Sequence, residues 1–197
     1  MHNDFRVCLS EDIPDGFDVS GIHRQGHATG ELLRVHPCIR NNQLLIHPLP
    51  EDVAVPTNGT DVIQILLNLT LNALQCTPQF HRVEIRGQLH QQPLDLSMFT
   101  DGPEDRFIHR DTLNNTAPLL ALSVQDNGPG ISPELMSKIF EPYFTTRPKT
   151  QGTGLGLCIV NRLLKEARGA LHAYSKAGQG TVFTVYLPAH PPNQIPR

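Results

Sequence analysis

Residues 60–76 are apolar around almost their whole circumference, and the exceptions fall in one line. Val62, Ile63, Ile65, Leu66, Leu67, Leu69, Leu71, Ala73 and Leu74 supply the apolar surface. Asp61, Gln64, Asn68, Asn72 and Gln75 interrupt it at spacings of 3, 4, 4 and 3. That spacing puts the five on one face of an α-helix. Asn58-Gly59-Thr60 offers a helix start with Asp61 in the first turn, and Pro78 prevents continuation.

A stripe facing plain solvent favours Glu, Lys and Arg, which form helices better than Asn. Four of these five residues are uncharged, and two are mid-helix asparagines. An Asn amide oxygen is a hard neutral ligand, suited to Mg2+ that already carries phosphate oxygens. A second segment, Asp126-Asn127-Gly128-Pro129-Gly130, follows an apolar strand at Leu119 to Val124 that reads as buried on both faces. Asn-Gly alone signals a tight turn. The functional reading is a carboxylate that accepts from an adenine amino group, with glycines letting backbone approach the ring.

The third segment, Gly152-Thr153-Gly154-Leu155-Gly156-Leu157, opens a helix spanning about 154–167. A flexible linker is the plain reading. Exposed N–H groups at a positive helix end favour phosphate instead. The segment is not a Walker A loop, because no Gly-Lys-Ser/Thr follows, and no strand precedes it as in a dinucleotide fingerprint. Leu155 and Leu157 would anchor the loop in the core. Amides, a carboxylate and bare N–H groups are together the parts needed to hold ATP.

At 197 residues the chain suits one domain with extensions. It has no Trp, so the core rests on Leu, Ile, Val and eight Phe. Net charge is −3 with no large basic block, so nucleic acid is not the expected partner. No apolar stretch approaches the roughly 18 to 20 residues of a membrane helix, so no membrane contact by this segment is expected. Its first residues lack the apolar run of a signal peptide. Cys8, Cys38, Cys76 and Cys158 form no CxxC motif, and Cys76 and Cys158 read as reduced, buried thiols.

Residues 1–50 read as an N-terminal arm or linker with candidate edge strands at Leu32 to Ile39 and Leu44 to Ile46, joined by a turn at Asn41-Asn42. Val53 to Val55 reads as a further strand. Arg82 to Leu89 alternates as a strand does, and 90–117 reads as an inserted loop. Ser132-Pro133-Glu134 starts a short helix ending near Phe140. Residues 141–151 read as a loop. Gly169 is the expected stop of the later helix, and Ala170 to Tyr174 and Thr181 to Leu187 form a final strand pair. Residues 189–197 read as a disordered tail.

In this order and spacing the segments resemble the GHKL ATP-binding superfamily, most closely the catalytic ATP-binding domain of bacterial sensor histidine kinases. Asn68 and Asn72 match the N box. Asp126, Gly128 and Gly130 match the first glycine box, and Gly152, Gly154 and Gly156 the second. Ile139-Phe140-Glu141-Pro142-Tyr143-Phe144-Thr145-Thr146 resembles the F box, and Gly180-Thr181-Val182-Phe183 the last strand pair. The likeness covers about 51–188. It implies an α/β two-layer sandwich of the Bergerat type, a mixed sheet with helices on one face and an ATP lid at about 131–153.

The resemblance also implies roles. Asn72 would ligate Mg2+, Asp126 would read adenine, and the second glycine box with Thr153, Leu155 and Leu157 would wrap the phosphates. Further nucleotide contacts would come from Asn68, Gln75, Gly128, Gly130, Ile131, Phe140, Thr146 and Thr181. Phe140, Tyr143 and Phe144 would pin the lid, and Arg147 or Lys149 would reach the γ-phosphate, a solvated loop cation being the plain reading of those two. The hydrolases and serine kinases of the superfamily carry Glu four residues before the metal-binding Asn. Here that residue is Asn68, and an amide is no general base. The implied function is therefore a histidine kinase catalytic domain, acting on a histidine of a dimerisation domain and indirectly on a response regulator, on the cytoplasmic side. None of the ten histidines has the phosphoacceptor context. A nucleotide-holding regulatory module and a GHKL ATPase are the alternatives.

Overall fold

The computed structural model describes residues 5–7, 42–49, 53–147 and 153–190. Its strands are β1 (Phe5–Val7), β2 (Gln43–Ile46), β3 (Val53–Val55), β4 (Arg82–His90), β5 (Asp105–Ile108), β6 (Leu119–Asp126), β7 (Ala170–Lys176) and β8 (Gly180–Pro188). Its helices are α1 (Gly59–Leu74), α2 (Pro133–Met136) and α3 (Gly156–Glu166). Six strands form one sheet in the order β2-β4-β6-β8-β7-β5. β2 runs parallel to β4 and every other pairing is antiparallel, so the sheet is mixed.

The uninterrupted apolar run of β6 places it inside the sheet, with Leu119, Leu120, Ala121 and Leu122 all buried. Alternation then divides the strands between two faces. Leu120, Leu122, Val124, Leu171, Ala173, Phe183, Val185 and Leu187 meet α1 and α3 in the main core. Ala121, Ala170 and Tyr186 point to the opposite face. α1 starts as its sequence dictates: the Asn58 side chain caps it by accepting from the Thr60 N–H at 3.1 Å. Its apolar majority buries Val62, Ile65, Leu66, Leu69, Ala73 and Leu74 against the sheet and α3.

Several expectations change. Residues 90–117 are more than a loop. Within them β5 pairs with β7 as an edge strand, and Leu94, Leu96, Phe99, Phe107 and Leu113 cover the sheet's second face. Phe99 and Phe107 lie 4.6 Å apart, and the Arg110 guanidinium sits 5.1 Å over the Phe107 ring. The sandwich therefore carries a partial third layer.

Part of the expected arm is also structured, since β1 pairs antiparallel with β3 and buries Val7. β2 finds a parallel partner in β4 rather than a hairpin. The strand expected at Leu32 to Ile39, and Asn41, lie outside the described residues. α2 ends at Met136, four residues early, because the chain continues in tight turns towards Pro142. After α3 the left-handed turn falls on Arg168, with φ 51°, rather than on Gly169. Of the tail, Ala189 and His190 are hydrogen-bonded: their N–H groups donate to the Pro118 and Ala54 carbonyls at 2.9 Å each. Residues 191–197 lie outside the described set.

Candidate functional site

α1 and α3 pack side by side on one sheet face, and the cleft beside their contact encloses about 530 Å3. The polar line of α1 forms one wall. Asn68 Nδ2 donates to the Gln64 carbonyl at 2.8 Å, which turns Oδ1 away from its own helix. The start of α3 forms the facing wall. A Cβ added at Gly156 would stand 3.1 Å from Asn68 Oδ1 and 3.6 Å from Asn72 Nδ2, so the two helices meet as closely as glycine permits. No side chain caps α3. Its first N–H groups thus remain for a ligand, at the positive end of its dipole.

The floor is Asp126, at the end of β6. Its turn is bolted on both sides. Arg82 N–H donates to Asn127 Oδ1 at 2.7 Å, and Gly178 N–H to the Pro129 carbonyl at 2.7 Å. Ile131 N–H donates to Ser175 Oγ at 2.8 Å, and Ser175 in turn lies 2.9 Å from Thr181 Oγ1. Asp126 is 5% exposed. Burial pushes its carboxyl up, against the Gly128 N–H at 2.9 Å, the His81 ring, the Cys76 thiol and the Thr181 N–H, which all favour the ionised form. The Cys76 Sγ–H donates to Asp126 Oδ1 at 3.7 Å, and burial, then that carboxylate, push the thiol up to about 12.

The described ends of the segment expected as the lid are joined by backbone. Tyr143 N–H donates to the Gly154 carbonyl at 3.0 Å, and Gly154 has φ 66°, a conformation that favours glycine. Phe140 and Phe144 pack on the main core. Tyr143 departs from expectation: the residue is 75% exposed, and its contact with Gly154 is made by its peptide N–H and not by its side chain. Arg147 reaches across the cleft, donating from Nη1 to Gln75 Oε1 and from Nη2 to the Asn72 carbonyl at 3.2 Å.

Of the residues singled out in the sequence, Asn68, Asn72, Gln75, Asp126, Gly130 and Ile131 line this one cleft, as do Thr146, Arg147, Thr153, Gly154, Leu155, Gly156, Leu157 and Thr181. Gly128 sits behind Asp126, where a Cβ would stand 2.3 Å from Cys76 Sγ. Phe140 supports the wall from the core and does not line the cleft. Lys149 and Gly152 lie outside the described residues. Cys76 and Ser175 were missed. Cys76 stands four residues beyond Asn72, so extending the polar line by one helical step finds it. Ser175 carries no sequence signal, because its partners arrive from distant segments.

Residues 57–191 match the family model for histidine kinase-, DNA gyrase B-, and HSP90-like ATPases. The chain is 32% identical over 142 residues to the sensor histidine kinase ZraS of Escherichia coli (strain K12), covering 72% of this chain and 24% of ZraS. It is 34% identical over 128 residues to the signal transduction histidine-protein kinase AtoS of the same organism, covering 65% of this chain and 17% of AtoS. The chain thus spans less than a quarter of the length of these relatives. Among solved structures, the catalytic domain of the histidine kinase ThkA superposes with a TM-score of 0.58 at 27% identity, covering 81% of this chain and 87% of that one. The mycobacterial sensor histidine kinase MprB shares the fold, with a TM-score of 0.54 at 24% identity over 83% and 91% of the two chains. The chain belongs to the family of histidine kinase-, DNA gyrase B- and HSP90-like ATPases.

Proposed function

We propose that this chain is the ATP-binding catalytic domain of a sensor histidine kinase, and that it transfers the γ-phosphoryl group of ATP to a histidine on a dimerisation domain. The observation that carries the reading is Asn68, which brings an amide to the wall beside the α3 N-terminus where a hydrolase of the family needs a carboxylate. The relatives named above and the ThkA catalytic domain, all histidine kinases by name, support it.

Asp126 accepts from the adenine amino group at the cleft floor, and Ile131 and Thr181 flank the base. The uncapped N–H groups from Gly156 onward hold phosphate oxygens. The residues present also fit Mg2+. Asn72 offers an amide oxygen at the cleft wall, a hard neutral ligand that would hold the ion together with phosphate oxygens of the nucleotide. Bound Mg2+ neutralises triphosphate charge. Arg147 does the same from the lid, with Lys149 as a second candidate. The imidazole nitrogen of the incoming histidine forms the bond to the γ-phosphorus as the bond to the β–γ bridging oxygen breaks. ADP leaves with that electron pair, and the ring N–H proton passes to solvent.

Among the described residues no helix is long and apolar enough to cross a membrane. The reading places the domain on the cytoplasmic side of its parent sensor, upstream of a response regulator. The test supplies γ-labelled ATP, Mg2+ and a histidine kinase dimerisation domain. Label on that domain's histidine, lost with Asn72→Ala, is expected. Sustained ATP turnover without transfer, surviving Asn68→Ala, overturns the reading in favour of a GHKL ATPase. Tight nucleotide binding with neither transfer nor turnover overturns it in favour of a regulatory module.

A further inference from the structure

α1 has no basic residue in its last turn, and beside the local Gln75 and Cys76 N–H groups three of its terminal carbonyls meet side chains from elsewhere in the chain. Asn42 Nδ2 donates to the Leu74 carbonyl at 2.9 Å, and His81 Nε2 lies 2.8 Å from the Ala73 carbonyl. Those two side chains come from segments flanking the sheet. The third comes from the lid. Arg147 holds the Asn72 carbonyl at 3.2 Å with Nη2 and Gln75 Oε1 with Nη1, and its own N–H is steadied by Thr145 Oγ1 at 3.1 Å.

Two terminal nitrogens bound to one helix fix the plane of a guanidinium, because its donors are rigidly related. The chemistry of position 75 matters here. A lysine or arginine there would repel Arg147. A glutamate would pair with it and cancel the charge that a phosphate needs. A carboxamide oxygen fixes the direction of the guanidinium and leaves its charge intact. The carbonyl that Arg147 also holds belongs to Asn72, whose side chain faces the start of α3. Arg147 therefore stands on the rim where a terminal phosphate between α1 and α3 would emerge.

We propose that Gln75 is the positioning residue of Arg147. It aims the lid guanidinium at the γ-phosphate and acts on the nucleotide through Arg147, without touching it. The proposal rests on the nucleotide reading above.

The test measures affinity for Mg·ATP and Mg·ADP separately, with thermal melting to confirm folding, so that the readout is the preference for the nucleotide carrying a γ-phosphate. A helix-capping role alone would alter melting and leave that preference untouched. Arg147→Ala is expected to reduce the ATP-over-ADP preference on the order of tenfold, as loss of a charge-assisted hydrogen bond does. Gln75→Ala is expected to reduce it about threefold to tenfold, and Gln75→Glu to reduce it as well by charge pairing. The double variant Gln75→Ala/Arg147→Ala is expected to match Arg147→Ala alone, since residues acting as one unit are not additive. Equal factors for Gln75→Ala with and without Arg147 overturn the proposal, because Gln75 then acts on its own. An ATP-over-ADP preference unmoved by Arg147→Ala also overturns it, while leaving the nucleotide site intact. Failure of the unsubstituted chain to bind either nucleotide instead overturns the function reading.

Discussion

Gly156 and Asn68 stand so close that a Cβ on the glycine would lie 3.1 Å from Asn68 Oδ1. One residue opens α3 and the other sits mid-way along α1. Their approach is what brings a row of carboxamides to face a row of unpaired N–H groups. Gly156→Ala tests whether that gap serves a ligand. Alanine in place of glycine favours a helix by up to about 1 kcal/mol, so thermal stability is expected to hold or rise slightly. The added methyl forces Asn68 aside, so affinity for Mg·ATP is expected to fall, on the order of tenfold. Melting and nucleotide titration on the same sample check both, and unchanged affinity would show that the gap binds nothing.

Gly128 stands behind the Asp126 turn, where a Cβ would come within 2.3 Å of Cys76 Sγ. Gly128→Ala is expected to destabilise the fold by about 1–3 kcal/mol through overpacking. Removing the sulfur with Cys76→Ala in the same chain is expected to restore part of that loss, with a coupling of about 1 kcal/mol, because the two residues touch. Denaturant unfolding of the two single variants and the double variant gives the coupling directly. Strictly additive losses would mean that the turn relaxes away from Cys76.

Asp126 is held above the ordinary carboxylate range chiefly by burial. A group with a raised folded-state value contributes stability that is fully present below the unfolded value of 3.8 and is lost as pH rises through the folded value. Asp126→Asn removes that titration. The stability of the Asn variant relative to the parent is therefore expected to increase as pH climbs from 3.8 through the raised value and to level off above it. Discrimination between adenine and guanine nucleotides is expected to fall at the same time. A stability difference that stays flat with pH would contradict the burial account.

The third layer makes a separate expectation. Phe107 is 4% exposed and anchors the cluster that 90–117 lays on the sheet's second face. Phe107→Ala is expected to cost about 3–5 kcal/mol of stability, as large-to-small changes of buried aromatics do. Nucleotide affinity of the folded fraction is expected to stay the same, since the cleft lies on the opposite face. Coupled loss of affinity would mean that the layer transmits strain to the site.

What sequence made visible here is what local pattern governs. α1 was readable from its cap and its stripe, β6 from its unbroken apolar run, and the Asp126 turn from its glycines. β5 was not, because four residues, Asp105 to Ile108, carry too short an alternation and become a strand only by pairing with β7, more than sixty positions later. β1 was hidden for the same reason, its partner being Val53–Val55. Most of the candidate cleft was legible because its lining includes residue types unusual for their elements: mid-helix asparagines and alternating glycines. Cys76 was legible only as the next step of the α1 polar line, its contact with the Asp126 carboxylate existing only after folding, and Ser175 was not legible, since a hydroxyl joining three segments carries no local signal. The aromatic character of Tyr143 suggests an anchor, yet the fold leaves that residue exposed and bonds through its peptide N–H.

The most direct measurement is the affinity of a labelled ATP for the unsubstituted chain and for Asn72→Ala, each with and without Mg2+. Convergence of α1 and α3 on one metal-bound triphosphate predicts that Mg2+ tightens binding to the unsubstituted chain and does nothing for the variant. Equal affinity under all four conditions would contradict it.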